Sequence, residues 1–546
     1  MKVLRYSISR MVAVTCLLIS FGGTSFADGY DIVIRSGRVL DGAGNPWIAA
    51  DIAIKAGKIV KIGKVDGSGE REIDASGKYV SPGWIDMMDQ SGQALREVGF
   101  APNKINMGVT TLIGGEGGTV VPAAEIADYF NELEKKGISV NFGTYYSATQ
   151  ARVALLGDSS ADPTPAQLDQ MKALVAQAME AGVMGITTAL IYPPSAYHKT
   201  ENLIELAKVV AEYDGIYASH IRDESSQLLK AVSEAIRIGE ESGSAVEVFH
   251  LKAAYYPNWN SDMQKALDLM QAARDRGVNV AADLYPYTAG GTGLEVTAPN
   301  WVYAQGIEQA IEWLNDPEMR EKMKKELAEP PTSDWTNLVY SSGGWKNVVL
   351  ANSYLKEYEK YHSKNFADIG KDLGRDPADV AWDIMLAAQP NRPMALYFMM
   401  NEDDVRLALK SPFVSVGSDA ASALKEGDLD ALGLPHPRSY GTFPKIVANY
   451  VRDEGVLTLA DAIRKMTSWP ASRMGLVDRG VLREGLAADI VVFDLETIED
   501  TATWENPTTK PTGINHVIVN GVLVLDNGNH TGATPGRVMR GPGYKN

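Results

Sequence analysis

The chain has 546 residues, of which 45% are hydrophobic and 22% are charged, a composition typical of a globular protein. This length is sufficient for a large barrel and a second domain. The formal net charge of −17 argues against nucleic acid or an anionic membrane surface as a partner.

The first 27 residues have the pattern of a secretory signal peptide. A basic segment with Lys2, Arg5 and Arg10 precedes the mostly apolar residues 11–21 and the small-x-small sequence Ser25-Phe-Ala27. A membrane anchor is the weaker alternative, because the apolar run is too short to span a bilayer comfortably. We therefore expect cleavage after Ala27 and a periplasmic or secreted protein without a membrane attachment. The single cysteine, Cys16, would leave with this segment, so any metal must be held by histidines and carboxylates.

Both ends of the mature chain predict short β-strands separated by glycine-containing turns. The runs Asp31-Ile-Val-Ile-Arg35 and Asp51-Ile-Ala-Ile-Lys55 alternate between apolar and polar residues. Similar runs return at Ala488-Asp-Ile-Val-Val-Phe493 and at 516–524. We predict that residues 28–82 and 476–546 combine in one small β-sandwich.

Residues 83–475 alternate between helical and strand-like runs. The helical run 169–180 precedes Gly185-Ile-Thr-Thr-Ala-Leu190, and the helical run 227–242 precedes another strand-like run. This βα repetition favours an α/β fold, a parallel (β/α)8 barrel of the TIM type. Residues 300–370 are richer in Lys, Glu, Trp and Pro, and we expect them to form an insertion over the barrel mouth.

Two of the seven histidines each close an apolar, strand-like run. His220 follows Gly215-Ile-Tyr-Ala-Ser219, and His250 follows Ala245-Val-Glu-Val-Phe249, with a helical stretch between them. We therefore expect both imidazoles at the C-terminal ends of neighbouring parallel strands, where the chemistry of a barrel is located. A metal centre is the leading hypothesis, although two buried, hydrogen-bonded histidines would give the same pattern.

Three further polar residues suit a hydrolytic site. Tyr285 leads into a Gly-rich loop, although an aromatic residue packed in a tight turn fits the pattern as well. Asp419 ends the run Val414-Ser-Val-Gly-Ser418 and suits metal binding or proton transfer, with helix capping as the alternative. Arg438 suits two hydrogen bonds to a carboxylate, or a structural ion pair.

Eight motifs, in order over nearly the whole mature chain, resemble those of the N-acyl-D-amino-acid deacylases, the D-aminoacylase branch of the amidohydrolase superfamily. They are Ser81-Pro-Gly-Trp-Ile-Asp86, Met107-Gly-Val-Thr-Thr111, Thr188-Ala-Leu-Ile-Tyr-Pro-Pro194, Ser219-His-Ile-Arg-Asp-Glu224, His250-Leu-Lys-Ala253, Ala282-Asp-Leu-Tyr-Pro-Tyr-Thr-Ala-Gly290, Gly417-Ser-Asp419 and His436-Pro-Arg-Ser-Tyr-Gly-Thr-Phe-Pro444. The set is specific, although each motif alone is a weak signal.

The resemblance implies a zinc-dependent deacylase with a (β/α)8 barrel and a small β-sandwich formed by both termini. It implies that His220 and His250 hold a tightly bound zinc ion and that Asp419 is the general base and acid. It also implies a role in holding the substrate for three residues, namely Lys252, Tyr285 and Arg438.

The chain departs from the family pattern directly after Asp86. Relatives continue with His-x-His, the ligands of a second metal ion, whereas this chain has Met88 and Gln90 at the two histidine positions. Because thioether and amide groups are poor zinc ligands, we expect one zinc ion per chain rather than two. Asp86 and Asp89 lie nearby and would be either substitute ligands or ordinary polar residues of a turn.

A second departure lies in the Gly-rich turn Ile113-Gly-Gly-Glu-Gly-Gly118. Relatives place a metal-binding cysteine there, and this chain has Gly117 at that position with Glu116 beside it. A carboxylate is a sound replacement for a thiolate on zinc, so we expect Glu116 to be the third ligand. A solvated loop carboxylate is the alternative.

These observations predict a zinc-dependent hydrolase of N-acyl-D-amino acids or a similar acyl amide, with a small-molecule substrate that carries a free carboxylate. A cyclic amide, a dipeptide or an ester is an alternative substrate for the same fold. The missing His-x-His pair motivates a third hypothesis, a non-catalytic periplasmic binding protein.

Overall fold

The structure, a computed structural model, describes residues 29–332 and 334–545. The predicted signal peptide and Cys16 lie outside the described residues. In the part of the chain that is described, no helix combines the length and the apolar character needed to cross a membrane.

Strands from both ends of the chain share one mixed sheet, to which the described residues contribute nine strands. These strands are β1 (Tyr30–Val39), β2 (Ile48–Lys55), β3 (Lys58–Gly63), β4 (Gly69–Asp74), β5 (Tyr79–Pro82), β18 (Ile490–Phe493), β19 (Ile514–Val519), β20 (Val522–Asp526) and β21 (Asn529–His530). Their order is β21-β20-β19-β18-β5-β1-β2-β3, with β4 paired to β1. The antiparallel pair of β18 and β5, which opposes Ile490 and Pro82, joins the two ends of the chain.

The alternation of apolar residues gives this sheet a buried face. Side chains two positions apart point to the same side of a strand, so Ile52 and Ile54 of β2 face the same side. They join one apolar cluster with Ile490 and Val492 of β18. The N-terminal and C-terminal segments therefore share a core as well as backbone hydrogen bonds.

The central part of the chain builds parallel strands that alternate with helices. These strands are β6 (Trp84–Asp89), β7 (Val109–Gly114), β8 (Asn141–Thr144), β9 (Tyr146–Ser147), β10 (Gly185–Ala189), β11 (Ile216–His220), β12 (Ala245–Val248), β13 (Val280–Leu284) and β17 (Val414–Val416). β6, β7 and β8 pair in sequence order, and β9 to β13 pair in sequence order and continue to β17. A parallel bridge from Asp89 to Ala420 links the end of β6 to the segment that follows β17. The C-terminal ends of these strands therefore lie on one side of the protein.

The helices flank these strands or belong to the segment between β13 and β17. They are α1 (Gly92–Glu97), α2 (Pro102–Asn106), α3 (Ile126–Lys136), α4 (Ala148–Leu156), α5 (Pro165–Ala181), α6 (Thr200–Glu212), α7 (Leu228–Ser242), α8 (Asp262–Asp275), α9 (Ile307–Asn315), α10 (Pro317–Leu327), α11 (Leu338–Ser341), α12 (Phe366–Leu373), α13 (Pro377–Ala387), α14 (Glu402–Lys410), α15 (Arg438–Lys445), α16 (Leu459–Met466) and α17 (Ser468–Arg473), with a π-helical turn at Ile446–Asp453.

Local sequence explains where such helices begin and which face they bury. α5 begins with a capping box in which Thr164 and Gln167 each bond the other's backbone, and it ends at Gly182 in the left-handed conformation. α7 buries Leu228, Ala231 and Val232, which recur at the spacing of one helical face. These faces cover the parallel strands and fix the strand ends that carry the site.

An antiparallel sheet interrupts the alternation between β13 and β17. Its strands are β14 (Gly290–Gly293), β15 (Val348–Asn352) and β16 (Met394–Tyr397), in the order β14-β16-β15. The segment has its own apolar cluster, which includes Leu314, Phe366 and Trp382. The sheet begins before residue 300 and ends after residue 370, so the interruption is longer than the predicted insertion on both sides.

Candidate metal centre and active site

Glu116, His220 and His250 converge at the C-terminal ends of three parallel strands. His220 is the last residue of β11, and the other two follow the ends of β7 and β12. Oε1 of Glu116 lies 2.7 Å from Nδ1 of His220 and 3.1 Å from Nε2 of His250. One ligand atom from each residue lies within 4.8 Å of the others, as a shared metal ion requires. Two imidazoles and one carboxylate are a known donor set for catalytic zinc, with the fourth position left to water or substrate.

The backbone around these three residues is held in unusual conformations. His250 has a φ of +35°, which is rare for a residue other than glycine, and the buried carboxylate of Asp283 accepts its backbone N–H at 2.7 Å. In the turn that carries Glu116, Gly115 has a φ of +99°, and a Cβ there would lie 2.7 Å from Oγ1 of Thr144. Glycine is therefore required at this position of the Glu116 turn.

The charges of these groups favour a cation at their centre. Burial would raise the pKa of Glu116, but hydrogen bonds from His220 and His250 outweigh it and hold the pKa well below its usual range. Burial and the ammonium group of Lys252 would lower the pKa of His250, but Glu224 and Glu116 raise it to about 10. The carboxylates of Glu116 and Glu224 thus stabilise a positive charge between them. A bound metal ion would supply this charge in place of the proton on His250.

Glu224 supports both histidines from the side opposite Glu116. Its Oε1 lies 2.9 Å from Nδ1 of His250, and its Oε2 lies 3.6 Å from Nε2 of His220. Oε1 also accepts a hydrogen bond of 2.6 Å from Nζ of Lys252. Burial would raise the pKa of Glu224, but these three neighbours hold it far below its usual range. Glu224 therefore stays ionised and orients the two imidazoles, the position that a carboxylate takes behind histidines in metal sites.

Asp419 and Arg438 form a buried ion pair next to the three candidate ligands. Nη1 of Arg438 lies 2.6 Å from Oδ2 of Asp419. The guanidinium carbon lies 4.8 Å from the ring centroid of Tyr285, and Nζ of Lys252 lies 5.5 Å from the same centroid. Nε of Arg438 is buried without a hydrogen-bond partner in the described part of the chain. The predicted base therefore pairs with Arg438, and Arg438 and Lys252 both lie against the ring of Tyr285.

The two residues at the family's His-x-His positions have different surroundings. Met88 is buried in an apolar cluster. Nε2 of Gln90 donates to Oε2 of Glu116 at 2.7 Å and lies 3.4 Å from Oδ1 of Asp419. The nearby carboxylates of Asp86 and Asp89 both lie 2.9 Å from Nζ of a buried lysine, Lys104. Lys104 is the ion-pair partner of both carboxylates. Their burial is therefore explained without a role as substitute metal ligands.

Comparison with known proteins identifies the family. A D-aminoacylase from Alcaligenes xylosoxydans xylosoxydans is 30% identical over 533 residues, which cover 93% of this chain and 97% of that protein. This chain belongs to the D-aminoacylase family of amidohydrolases. A family profile described as "Amidohydrolase family" also matches residues 427–525. The predicted resemblance is confirmed, and this amidohydrolase is a hydrolase acting on C–N bonds.

Solved structures agree with this assignment. An N-acyl-D-glutamate deacylase from Bordetella bronchiseptica, in complex with zinc and a phosphonate inhibitor, superposes with a TM-score of 0.77 at 29% identity, covering 94% of this chain and 100% of that one. A D-aminoacylase studied for its binuclear metal centre, with one-metal activation and second-metal attenuation, has the same TM-score, identity and coverage. The mixed α/β fold of this amidohydrolase is therefore that of the D-aminoacylases.

Sequence reasoning did not identify Glu224 and did not assign a role to Gln90. Glu224 lies within a motif that was recognised, four residues after His220, but that spacing has no fixed meaning outside a helix. The contact of Gln90 depends on the position of the Glu116 turn. Tyr192, which follows β10 and whose ring centroid lies 5.4 Å from that of His220, was also missed as a neighbour of the site.

Proposed function

We propose that this amidohydrolase hydrolyses N-acyl-D-amino acids with one zinc ion held by Glu116, His220 and His250. The observation that carries the proposal is the convergence of these three groups beside Asp419 and Arg438 at one edge of the parallel strands. The names of the relatives support the substrate class, since they include D-aminoacylase and N-acyl-D-glutamate deacylase.

The chemistry follows from the roles of the surrounding residues. A zinc ion bound by the three ligands would polarise the scissile carbonyl and acidify the attacking water. Asp419 accepts a proton from this water as the water oxygen bonds to the acyl carbon. It then delivers that proton to the departing nitrogen as the C–N bond breaks. The products are the acid of the acyl group and the free amino acid.

The carboxylate of the substrate would bind beside the guanidinium group of Arg438. Nε of Arg438 has no hydrogen-bond partner among the described residues, and the guanidinium of Arg438 and the ammonium of Lys252 both lie against the ring of Tyr285. Guanidinium and ammonium groups bind carboxylates through charge-assisted hydrogen bonds. This arrangement supports a substrate with a free carboxylate.

Metal content and substrate use test the proposal together. The purified protein would be analysed for zinc by elemental mass spectrometry, and then assayed for amine release from matched N-acetyl-D- and N-acetyl-L-amino acids. We expect about one zinc ion per chain, its loss in His220→Ala, and turnover of D-substrates only. Turnover restricted to cyclic amides, dipeptides or esters would replace the proposed substrate class. Tight ligand binding without turnover of any amide, with zinc supplied, would favour a binding protein.

We also propose that the parallel strands form the predicted (β/α)8 barrel, spanning 83–475, with a terminal β-sandwich from 28–82 and 476–546. The bridge from Asp89 to Ala420 and the backbone bond from Asp419 N–H to the oxygen of Met88, 2.9 Å long, support closure of β17 onto β6. Export through the 1–27 segment is part of the same proposal. Mass spectrometry of the protein from a periplasmic fraction should find a chain that begins at residue 28.

A further inference from the structure

The side-chain amide of Gln90 lies between two carboxylates of the candidate site. Its Nε2 is 2.7 Å from Oε2 of Glu116 and 3.4 Å from Oδ1 of Asp419. An ionised carboxylate only accepts hydrogen bonds, whereas an amide NH2 group has two hydrogens to donate. One NH2 group can therefore serve both carboxylates, and the opposite orientation of the amide would place its oxygen against two anions.

The remaining oxygens of these carboxylates are used elsewhere. Oε1 of Glu116 faces His220 and His250, and Oδ2 of Asp419 faces the guanidinium group of Arg438. Each carboxylate thus divides its two oxygens between the amide and its other partners.

Backbone hydrogen bonds hold Gln90 in this position. The N–H of Gln90 donates to the oxygen of Ala420 at 3.2 Å, and the N–H of Asp419 donates to the oxygen of Met88 at 2.9 Å. The segment that carries Gln90 and the segment that carries Asp419 are therefore tied on both sides of the amide. The side chain does not need to reorganise to reach the two carboxylates.

We propose that the Gln90 amide takes the position of a second metal ion, limits the site to one metal and positions Asp419. This proposal rests on the proposed one-zinc site of Glu116, His220 and His250. A second cation between Glu116 and Asp419 would need donor groups from the end of β6, and Met88 and Gln90 are poor zinc ligands. The amide N–H groups relieve the repulsion between the two carboxylates without adding a charge.

The proposal has a consequence for regulation by metal. A structurally similar D-aminoacylase is described by one-metal activation and second-metal attenuation. In this chain the Gln90 amide would fill the position of the second, attenuating metal ion, and zinc would not displace it. We therefore expect the rate to rise with the first equivalent of zinc and to stay constant in excess zinc.

Metal stoichiometry tests the proposal without relying on turnover. The full mature protein and three variants would be equilibrated with one and with ten equivalents of zinc, passed through a desalting column and analysed by elemental mass spectrometry. The variants are the double change Met88→His with Gln90→His, the isosteric change Gln90→Glu, and Met88→Leu as a matched control. We expect one zinc ion in the wild type and in Met88→Leu, and two in the double variant and in Gln90→Glu.

Two zinc ions in the wild type would overturn the proposal, whatever the substrate turns out to be. One zinc ion in every variant would also overturn it, because removal of the amide would then not open a second position. The number of zinc ions per chain tests the role of Gln90 even if no substrate is turned over. Failure of the Gln90 proposal can therefore be distinguished from failure of the proposed function.

The positioning role has its own measurement. Gln90→Met keeps a side chain of similar length but cannot donate a hydrogen bond. We expect it to retain one zinc ion, to lower kcat about tenfold and to change KM less than twofold, because only the placement of Asp419 is disturbed. An unchanged kcat with one zinc ion bound would contradict the positioning role.

Discussion

Glu224 and His250 form a buried ion pair, with 2.9 Å between Oε1 of the carboxylate and Nδ1 of the imidazole. This contact leaves Nε2 of His250 directed at Glu116, 3.1 Å from its Oε1. The tautomer that binds a metal through Nε2 carries its proton on Nδ1, and of the two groups near Nδ1 only Glu224 can accept that proton, because the ammonium group of Lys252, 2.6 Å away, is a donor. Glu224 therefore helps to hold His250 with its Nε2 toward Glu116.

Glu224→Gln should weaken zinc binding about 10- to 100-fold, because the amide replaces a full negative charge behind both histidines. Affinity would be measured by competition with a chromophoric chelator. The matched control is Glu241→Gln, a change at an exposed carboxylate that pairs with Arg237. Zinc affinity equal to that of the control would show that Glu224 does not support the ligands.

Asp419→Asn should lower kcat by about 100-fold or more while one zinc ion stays bound. An amide oxygen cannot accept the proton that the carboxylate takes from the attacking water. Asp419 is not among the three proposed ligands, so the zinc content measured on the same sample should not change. Loss of the metal together with activity would instead make Asp419 a ligand.

The strand-end positions of the site could be predicted because apolar runs end at them. His220 closes β11, and Asp419 follows β17 within three residues, so their common edge follows from the parallel order of the strands. The placement of Glu116 near the two histidines could be predicted because a carboxylate between glycines beside a strand end has few structural roles, whereas its role as a zinc ligand stays a prediction.

The contacts of Gln90 and Glu224 could not be predicted, because they depend on side-chain positions across segments distant in sequence. The antiparallel sheet of the insertion was missed for a related reason. β14 is Gly-Gly-Thr-Gly, which has almost no side-chain pattern, and its partner β16 lies about a hundred residues later. This short segment is a strand only because the folded chain brings β16 beside it.

Lys104→Met should lower the free energy of unfolding by about 3 to 5 kcal/mol, because it leaves buried carboxylates without their cation. The ammonium group is fully buried, and it lies 2.9 Å from both Asp86 and Asp89. The ammonium group also donates to the backbone oxygen of Ala420 at 2.6 Å. Because Ala420 directly follows Asp419, the loss of this bond should lower activity as well. Urea unfolding followed by circular dichroism would give the change. Lys135→Met, at an exposed lysine of α3, is the control, and equal midpoints for the two variants would contradict the structural role.

Asp223 should make stability depend on pH in the opposite direction from an ordinary surface carboxylate. Burial raises its pKa to about 6, although it accepts backbone N–H groups from Ser225 at 2.7 Å and Gln227 at 3.1 Å. The unfolded chain has a pKa of about 3.9 at this group. Between these two values the folded state binds more protons than the unfolded state, so stability falls as the pH rises from about 4 to about 6.

Asp223→Asn removes this ionisation and keeps an oxygen that accepts the two backbone N–H groups. The variant should therefore gain stability relative to the wild type as the pH rises, by about 1 kcal/mol between pH 5 and pH 8. Urea midpoints of both proteins at the two pH values would measure the difference. Most other groups titrate equally in the two proteins, so their effects cancel in this comparison. A difference that stays constant or shrinks toward pH 8 would mean that Asp223 is ionised at little cost in the folded protein.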